Sequence, residues 1–278
     1  MANKAKSTGR IDLASCGGVA LAILGIVGGL LFEGGRLTDI SSLTAAVIVL
    51  AGTLGAVMVT TPANLLVASF KSLLQVFWDS SPSNSDTIDK ILTFARQARR
   101  GGLTSLEGGL ADLSDPFLKK ALSLAVDGAD LQDIRRIMEL EIELAEHHGE
   151  GQAKVFETAG GYAPTIGIIG AVLGLIQVMK HLEDIERVGH GIAIAFVATV
   201  YGVAFANLLL LPAGAKLRSR LESRLKNNEL VLEGVLSIAE GMNPMLIESK
   251  LDPYKENPGT ASSSWNERAA EPGTRSAA

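Results

Sequence analysis

Apolar residues run without an Asp, Glu, Lys or Arg through two long stretches, residues 158–179 and 188–215. Each is long enough to cross the hydrocarbon core of a bilayer as a helix, which takes roughly 20 residues. Both contain a proline (Pro164 and Pro212), several small residues and a few hydroxyl or amide side chains. Such features suit close contact with another helix better than contact with lipid alone. Two further uncharged stretches lie nearer the N-terminus. One covers residues 13–32, between Asp12 and Glu33. The other covers 40–70, is most apolar over 43–59, and has Pro62 near its end. A cleaved leader is the alternative for the first, since Lys4, Lys6 and Arg10 precede it. Its apolar run is longer than a typical leader core, however, and a second stretch follows closely. The pattern predicts an all-α integral membrane protein with four transmembrane helices, paired two and two.

The flanks set the orientation. Lys4, Lys6 and Arg10 precede the first span, Lys71, Arg96, Arg99 and Arg100 follow the second, and Lys216, Arg218, Arg220, Arg224 and Lys226 follow the fourth. The loops 33–39 and 180–190 are short and net acidic or neutral. The excess of Lys and Arg on one side places both termini and the long middle segment in the cytoplasm. The expected organisation is an N-terminal stub with transmembrane helices 1–2 (1–70), a cytoplasmic helical segment (71–157), transmembrane helices 3–4 (158–215), a cytoplasmic C-terminal helix (216–254) and a disordered tail (255–278). The tail is rich in Ser, Ala, Gly, Glu and Pro and cannot bury enough surface to fold. Its Trp265 reads as a chance exposed aromatic.

The middle segment reads as helical. Ser85 or Asp86 can cap a helix bearing Ile88, Ile91, Leu92 and Ala95 on one face. Asp115–Pro116 is a cap followed by proline at the first helical position. That helix shows Phe117, Leu118, Ala121, Leu122 and Ala125, and Gly128 stops it. A third begins near Asp130, with Ile134, Ile137, Met138 and Leu144 on one side, and runs toward the third span. Beyond the fourth span, Leu217, Leu221, Leu225, Leu232, Val235 and Leu236 continue an apolar stripe, which implies a helical partner. No alternating strand pattern is present.

Composition narrows the function. Thirty glycines suit tight helix packing, as do Gly25-x-x-x-Gly29 and Gly170-x-x-x-Gly174. The single Cys16 rules out an internal disulfide framework. A net charge of −5 and the lack of a basic run give no reason to expect nucleic acid. Phosphate-loop, nucleophile-elbow, HExxH and CxxC motifs are absent, so no enzyme activity, cofactor or metal is expected. His147 and His148, beside Glu143, Glu146 and Glu150, are adjacent on a helix and point to different sides, which fits a solvated acidic face better than a metal site. Equally telling, no Asp, Glu, Lys or Arg lies inside any of the four spans. Ion pathways need an ionisable group within the membrane. Either this chain conducts nothing or a partner helix supplies the carboxylate.

Four separated segments carry a resemblance: ARQARRGGLTSLEGGL (95–110), GGYAPTIGIIGAVLGLI (160–176), ATVYGVAFANLLLLPAGAKL (198–217) and VLEGVLSIAEGMNP (231–244). In their order and in the arrangement of two spans, loop, two spans and helical tail, they resemble the A subunit of bacterial flagellar stators, the MotA/PomA family. The likeness runs from about residue 10 to Tyr254. It implies a bacterial inner-membrane protein, several copies of which ring a B-subunit dimer, a pentamer being expected. The single transmembrane helix of the B subunit carries the Asp missing here. Ion passage would turn the ring, and the ring would drive the flagellar rotor switch protein through charged contacts.

By the same resemblance, Arg99 and Glu107, eight positions apart, match rotor-contact residues, with Arg100 at the adjacent basic position. The alternative for these is an ordinary solvated helix face. Pro164 and Pro212 match prolines at the cytoplasmic ends of spans three and four, where a freed carbonyl permits movement; a fixed kink is the plainer reading. Thr199 matches a hydroxyl along the ion path, although a threonine can also bond back to its own helix. Ala171 matches a position that carries threonine in sodium-driven members. Sodium needs several oxygen ligands and a proton needs one acceptor, so an apolar methyl there favours protons. The competing readings are the related TolQ/ExbB force transducers, which place one span before the long segment where this chain has two, and a passive membrane scaffold.

Overall fold

The computed structural model describes residues 10–11, 13–75, 78–79 and 83–255. The expected disordered tail, with Trp265, falls outside the described residues apart from Lys255. Among the described residues the chain is helical except for one antiparallel ladder two residues long, β1 (Arg10–Ile11) with β2 (Trp78–Asp79), pairing Arg10 with Asp79 and Ile11 with Trp78. The helices are α1 (Leu13–Phe32), α2 (Leu43–Thr60), α3 (Ala63–Gln75), α4 (Asn84–Gly101), α5 (Glu107–Leu110), α6 (Pro116–Val126), α7 (Leu131–Lys180), α8 (Ile185–Ala204), α9 (Leu211–Ala239) and α10 (Pro244–Leu251). The chain divides into two compact units, one made of Met1–Ser80 with His147–Leu221, the other of Ser81–Glu146 with Glu222–Ala278.

The first unit holds the apolar stretches. Helix α2, helix α7 and the run Ile185–Ala239 are each long and apolar enough to cross a membrane, and α1 is a fourth, uncharged apolar helix. Large side chains on them remain uncovered by this chain, among them Val59 (87% exposed), Ile185 (86%) and Phe196 (71%). Water would not tolerate so much bare apolar surface, so lipid or partner helices must cover it.

The apolar stretch 40–70 is not one helix. Proline disfavours the α conformation in the residue before it, and Thr61 is extended (φ −127°, ψ 130°), ending α2. Helix α3 then begins after Pro62. Its Ser69 hydroxyl donates to the Leu65 carbonyl at 2.8 Å, and Ser72 donates to Gln152 Oε1 of α7 at 2.6 Å. At its other end α2 is capped by Ser42, whose Oγ accepts from the Ala45 amide. Tyr201 of α8 braces this start: its hydroxyl donates to the Ile40 carbonyl at 2.6 Å and accepts from the Ser42 amide at 3.3 Å.

The second unit packs α4, α5, α6 and α10 with the first part of α7 and the last part of α9 around Ile88, Ile91, Leu118, Leu122, Ile134, Met138, Leu230, Leu236 and Ile247. Ser83, rather than Ser85 or Asp86, precedes the first residue of α4. Asp115 caps α6 as its sequence suggests, its carboxylate accepting from the amides of Phe117 (2.9 Å) and Leu118 (3.3 Å), with Pro116 in the first turn. Gly128 ends α6 at φ +78°, where a Cβ would be strained. A buried hydrogen bond from Thr87 Oγ1 to Asn227 Oδ1 (2.9 Å) joins α4 to α9. Glu233 takes Lys250 at 2.8 Å and Arg135 at 3.2 Å, tying α9 to α10 and α7. Burial raises the Glu233 carboxyl, but the two cations outweigh it and hold its pKa below the usual carboxylate value.

Candidate functional site: a glycine-lined helix seam and an arginine-bearing turn

Where α7 meets α8 and the start of α9, the backbones approach so closely that only glycine fits. A methyl group built on Gly202 would stand 2.6 Å from the Ala163 carbonyl oxygen and 3.1 Å from Gly167 Cα. One on Gly167 would stand 2.9 Å from the Ala198 carbonyl, and one on Gly174 would stand 2.9 Å from both the Ala195 nitrogen and the Gly191 carbonyl. Gly160, Gly167 and Gly174 recur every seven residues, so they line one side of α7, as a helix crossing at a small angle requires. Without a hydrophobic drive in lipid, such close approach is how helices bind each other.

Three of the expected ion-path and coupling residues lie along this seam. Pro164 and Ala171 are half-buried on α7 and flank Gly167 at helical spacing. The Thr199 Cα faces Gly167 from α8, 3.4 Å from where a Cβ would be. The Thr199 hydroxyl donates to the Ala195 carbonyl of its own helix at 3.2 Å, the plainer of the two readings open from sequence. Pro212 is exposed at the start of α9. Its neighbour Ala213 packs in one apolar cluster with Ala159, Ala163, Ala206 and Leu210.

The two prolines act differently on their helices. Helix α7 continues unbroken through Pro164. Before Pro212, by contrast, residues Phe205–Leu210 form a π-helix, and the Leu211 amide donates to the Ala206 carbonyl five residues back. Proline supplies no N–H and its ring crowds the carbonyl four residues earlier. A wider turn relieves that crowding by admitting one extra residue. The Asn207 side chain donates to the Val203 carbonyl at 2.9 Å, occupying an acceptor in the disturbed stretch. π segments are rare and often mark functional positions.

Just beyond the prolines, Arg218 of α9 grips Glu157 of α7 with two bonds, 2.9 Å and 3.3 Å. Paired bonds of this kind fix orientation as well as distance.

In the second unit, α4 ends at Gly101, and Gly102 (φ +75°) turns the chain into a 3-10 segment, Leu103–Leu106, leading to Glu107. Gln97 Nε2 donates to the Ser105 carbonyl at 2.6 Å, and the Ser105 hydroxyl to the Gly102 carbonyl at 2.6 Å, so the turn is held from both sides. Buried Leu106 and Leu110 anchor it to the core. Arg99, Arg100 and Glu107 are all exposed, and among the described residues none of them forms an ion pair. The arginines and the glutamate are thus presented by one rigid turn without neutralising each other. No group of three or more potential metal ligands occurs among the described residues, and the rings of His147 and His148 stand edge to face, 6.4 Å apart.

Residues 110–229 match the model of the MotA/TolQ/ExbB proton channel family. Motility protein A of Bacillus subtilis is 36% identical over 246 residues, covering 88% of this chain and 91% of that one. The chain belongs to the motility protein A family. Its fold agrees: a chain in the structure of C. jejuni MotAB, 33% identical, superimposes with a TM-score of 0.86 over 90% of this chain and 98% of that chain. A chain of the flagellar MotAB stator complex from Bacillus subtilis, 34% identical, gives 0.81 over 94% and 100%.

Sequence reasoning missed three features of this motility protein A relative. The π segment had a signal, an unbroken apolar helix running into Pro212, but a kink and a π turn read alike in sequence. The Glu157–Arg218 pair joins residues 61 apart in the chain, on α7 and α9, which no local pattern reveals. The Tyr201 brace reaches Ile40 and Ser42, 161 and 159 residues away in the chain, so it too leaves no local pattern.

Proposed function

We propose that this chain is the A subunit of a proton-driven flagellar stator. Its four apolar helices span the bacterial inner membrane with both termini in the cytoplasm. Copies of it form a ring, a pentamer, around a dimer of B subunits. The observation that carries this reading is the match, over nine-tenths of the chain, to MotAB stator chains. The uncovered apolar faces of the helices and the lack of any carboxylate in the spans support it. The B subunit's transmembrane Asp would supply that carboxylate. Protonation of the Asp next to the α7–α8 seam would change how the B helix packs on it, and the prolines let α7 and α9 follow. Arg99, Arg100 and Glu107 would pass the motion to the rotor switch protein. No step in this scheme makes or breaks a covalent bond in a substrate, so the chain is read as a motor part and not an enzyme.

The test is swimming in a strain lacking the gene. Such cells are expected to carry filaments yet stay paralysed, and the chain supplied from a plasmid restores swimming. Arg99→Glu should restore it poorly at an unchanged membrane level, because exposed charges contribute only ~0–1 kcal/mol to folding. Normal swimming of the deletion strain in the absence of a second stator would remove the proposal. Loss of the Arg99→Glu protein from the membrane would remove its rotor-contact part.

The driving ion has its own check. The half-buried methyl of Ala171 beside the seam adds no oxygen ligand for sodium. Replacing sodium by potassium at constant pH is expected to leave swimming speed unchanged. Arrest in potassium would establish sodium as the driving ion.

A further inference from the structure

Arg99 and Arg100 are neighbours in sequence and both exposed, but they do not border the same cavity. Arg100 lies on the same face of α4 as Arg96, one turn earlier, and both border an open cavity of about 480 Å3 completed by Thr93, Gln97, Gly101 and Ser105. Arg99 is not among the residues lining it, as expected for a position ~100° further round the helix. The cavity's neutral groups are largely committed: Thr93 Oγ1 donates to the Asp89 carbonyl (2.8 Å), Gln97 to the Ser105 carbonyl and Ser105 to the Gly102 carbonyl. The two guanidinium groups are not. Neither Arg96 nor Arg100 has an ion pair or side-chain hydrogen bond among the described residues, and no acidic residue stands three or four positions from either on α4.

Cations near a helix C-terminus are favoured by the helix dipole, but that effect falls off within the last turn. It accounts for Arg99 and Arg100 and leaves Arg96, five residues before Gly101, without a role. Like charges at this spacing repel each other, and an anion seated between them removes the repulsion. Two planar guanidiniums suit a carboxylate better than point-like ammonium groups would. We propose that the Arg96–Arg100 cavity receives one acidic side chain of the rotor switch protein, making Arg96 a further contact residue. This inference rests on the stator reading and divides its basic patch in two: Arg96 with Arg100 in the cavity, Arg99 outside it.

The experiment compares Arg96→Glu with Arg99→Glu in the complete motor, membrane level being checked by immunoblot. Arg96→Glu is expected to lower swimming speed at least about twofold, with Arg96→Lys between it and wild type because the charge stays but the planar fork is lost. Replacing one acidic residue of the rotor protein by lysine should restore Arg96→Glu without restoring Arg99→Glu. Normal speed in Arg96→Glu beside a slow Arg99→Glu overturns the cavity proposal and leaves the rotor reading intact; normal speed in both overturns the two together. A slow Arg96→Glu that no rotor reversal restores also overturns it. So does inorganic phosphate raising the Tm of the purified wild-type protein but not that of Arg96→Glu, which would assign the cavity to a small anion.

Discussion

Gly202→Ala is expected to lower the Tm of the purified protein by roughly 2–10 °C and to abolish swimming, whereas Gly55→Ala should leave swimming unchanged and the Tm unchanged or slightly raised. The added methyl would lie 2.6 Å from the Ala163 carbonyl oxygen and 3.3 Å from its carbon. Both are main-chain atoms inside a continuous helix, so no side chain can rotate to make room. Helices α7 and α8 must move apart, and overpacking of this kind costs about 1–3 kcal/mol. The displacement matters as much as the energy, since Gly167, Thr199 and Ala163 share the contact. At Gly55 a methyl meets nothing within 4 Å. Alanine is also the better helix former, by ~1 kcal/mol. Equal behaviour of the two variants in melting and motility would show that the seam tolerates separation, and the close approach would lose its functional meaning.

How much of this was visible beforehand depends on how far the deciding contact reaches along the chain. Apolar helices, caps and stops were legible because their causes are local: Asp115 and Pro116 start α6, and Gly128 ends it at positive φ. Periodicity also identified the core face of α4, because Ile88, Ile91, Leu92 and Ala95 repeat at helical spacing and are all buried. The break at Thr61 was underestimated, although Pro62 announced it, because apolar composition continued across it into α3. Ser83 replaced Ser85 or Asp86 before α4, since several polar residues in succession offer equivalent starts.

The site was legible by another route. Likeness to a family pointed to Arg99, Arg100, Glu107, Pro164, Ala171, Thr199 and Pro212, and their roles remain proposals. Geometry added what likeness could not: which of these residues share a surface. Gly25-x-x-x-Gly29 illustrates the limit of motif reading. It had the spacing of a contact face, yet methyl groups on both glycines would meet nothing within 4 Å in this chain. Gly174 of the other motif is tightly packed. Spacing alone could not separate the two, because the difference lies in the partner helix.

Pro212→Ala is expected to yield a protein that reaches the membrane at normal levels and melts no lower than wild type, yet drives no swimming. With an N–H restored at position 212, the Leu208 carbonyl can be bonded in the ordinary way. Proline in a helix interior costs ~3 kcal/mol relative to alanine, part of which the π turn over Phe205–Leu210 already relieves. Relaxation to an α-helix removes the extra residue from that turn. Since one residue subtends ~100°, the first turns of α9 would be driven out of register with α7 while its last turns stay in the core. Gly214, now packed against the Ala153 carbonyl and Glu157, and Arg218, now bonded twice to Glu157, would both leave α7. Stability can therefore hold while the coupling between α7 and α9 fails, a combination that a merely structural proline would not give. Amide exchange slowed over 206–212, with motility lost, would support the π turn as the moving part. Full motility with the same slowed exchange would reduce it to a relieved clash.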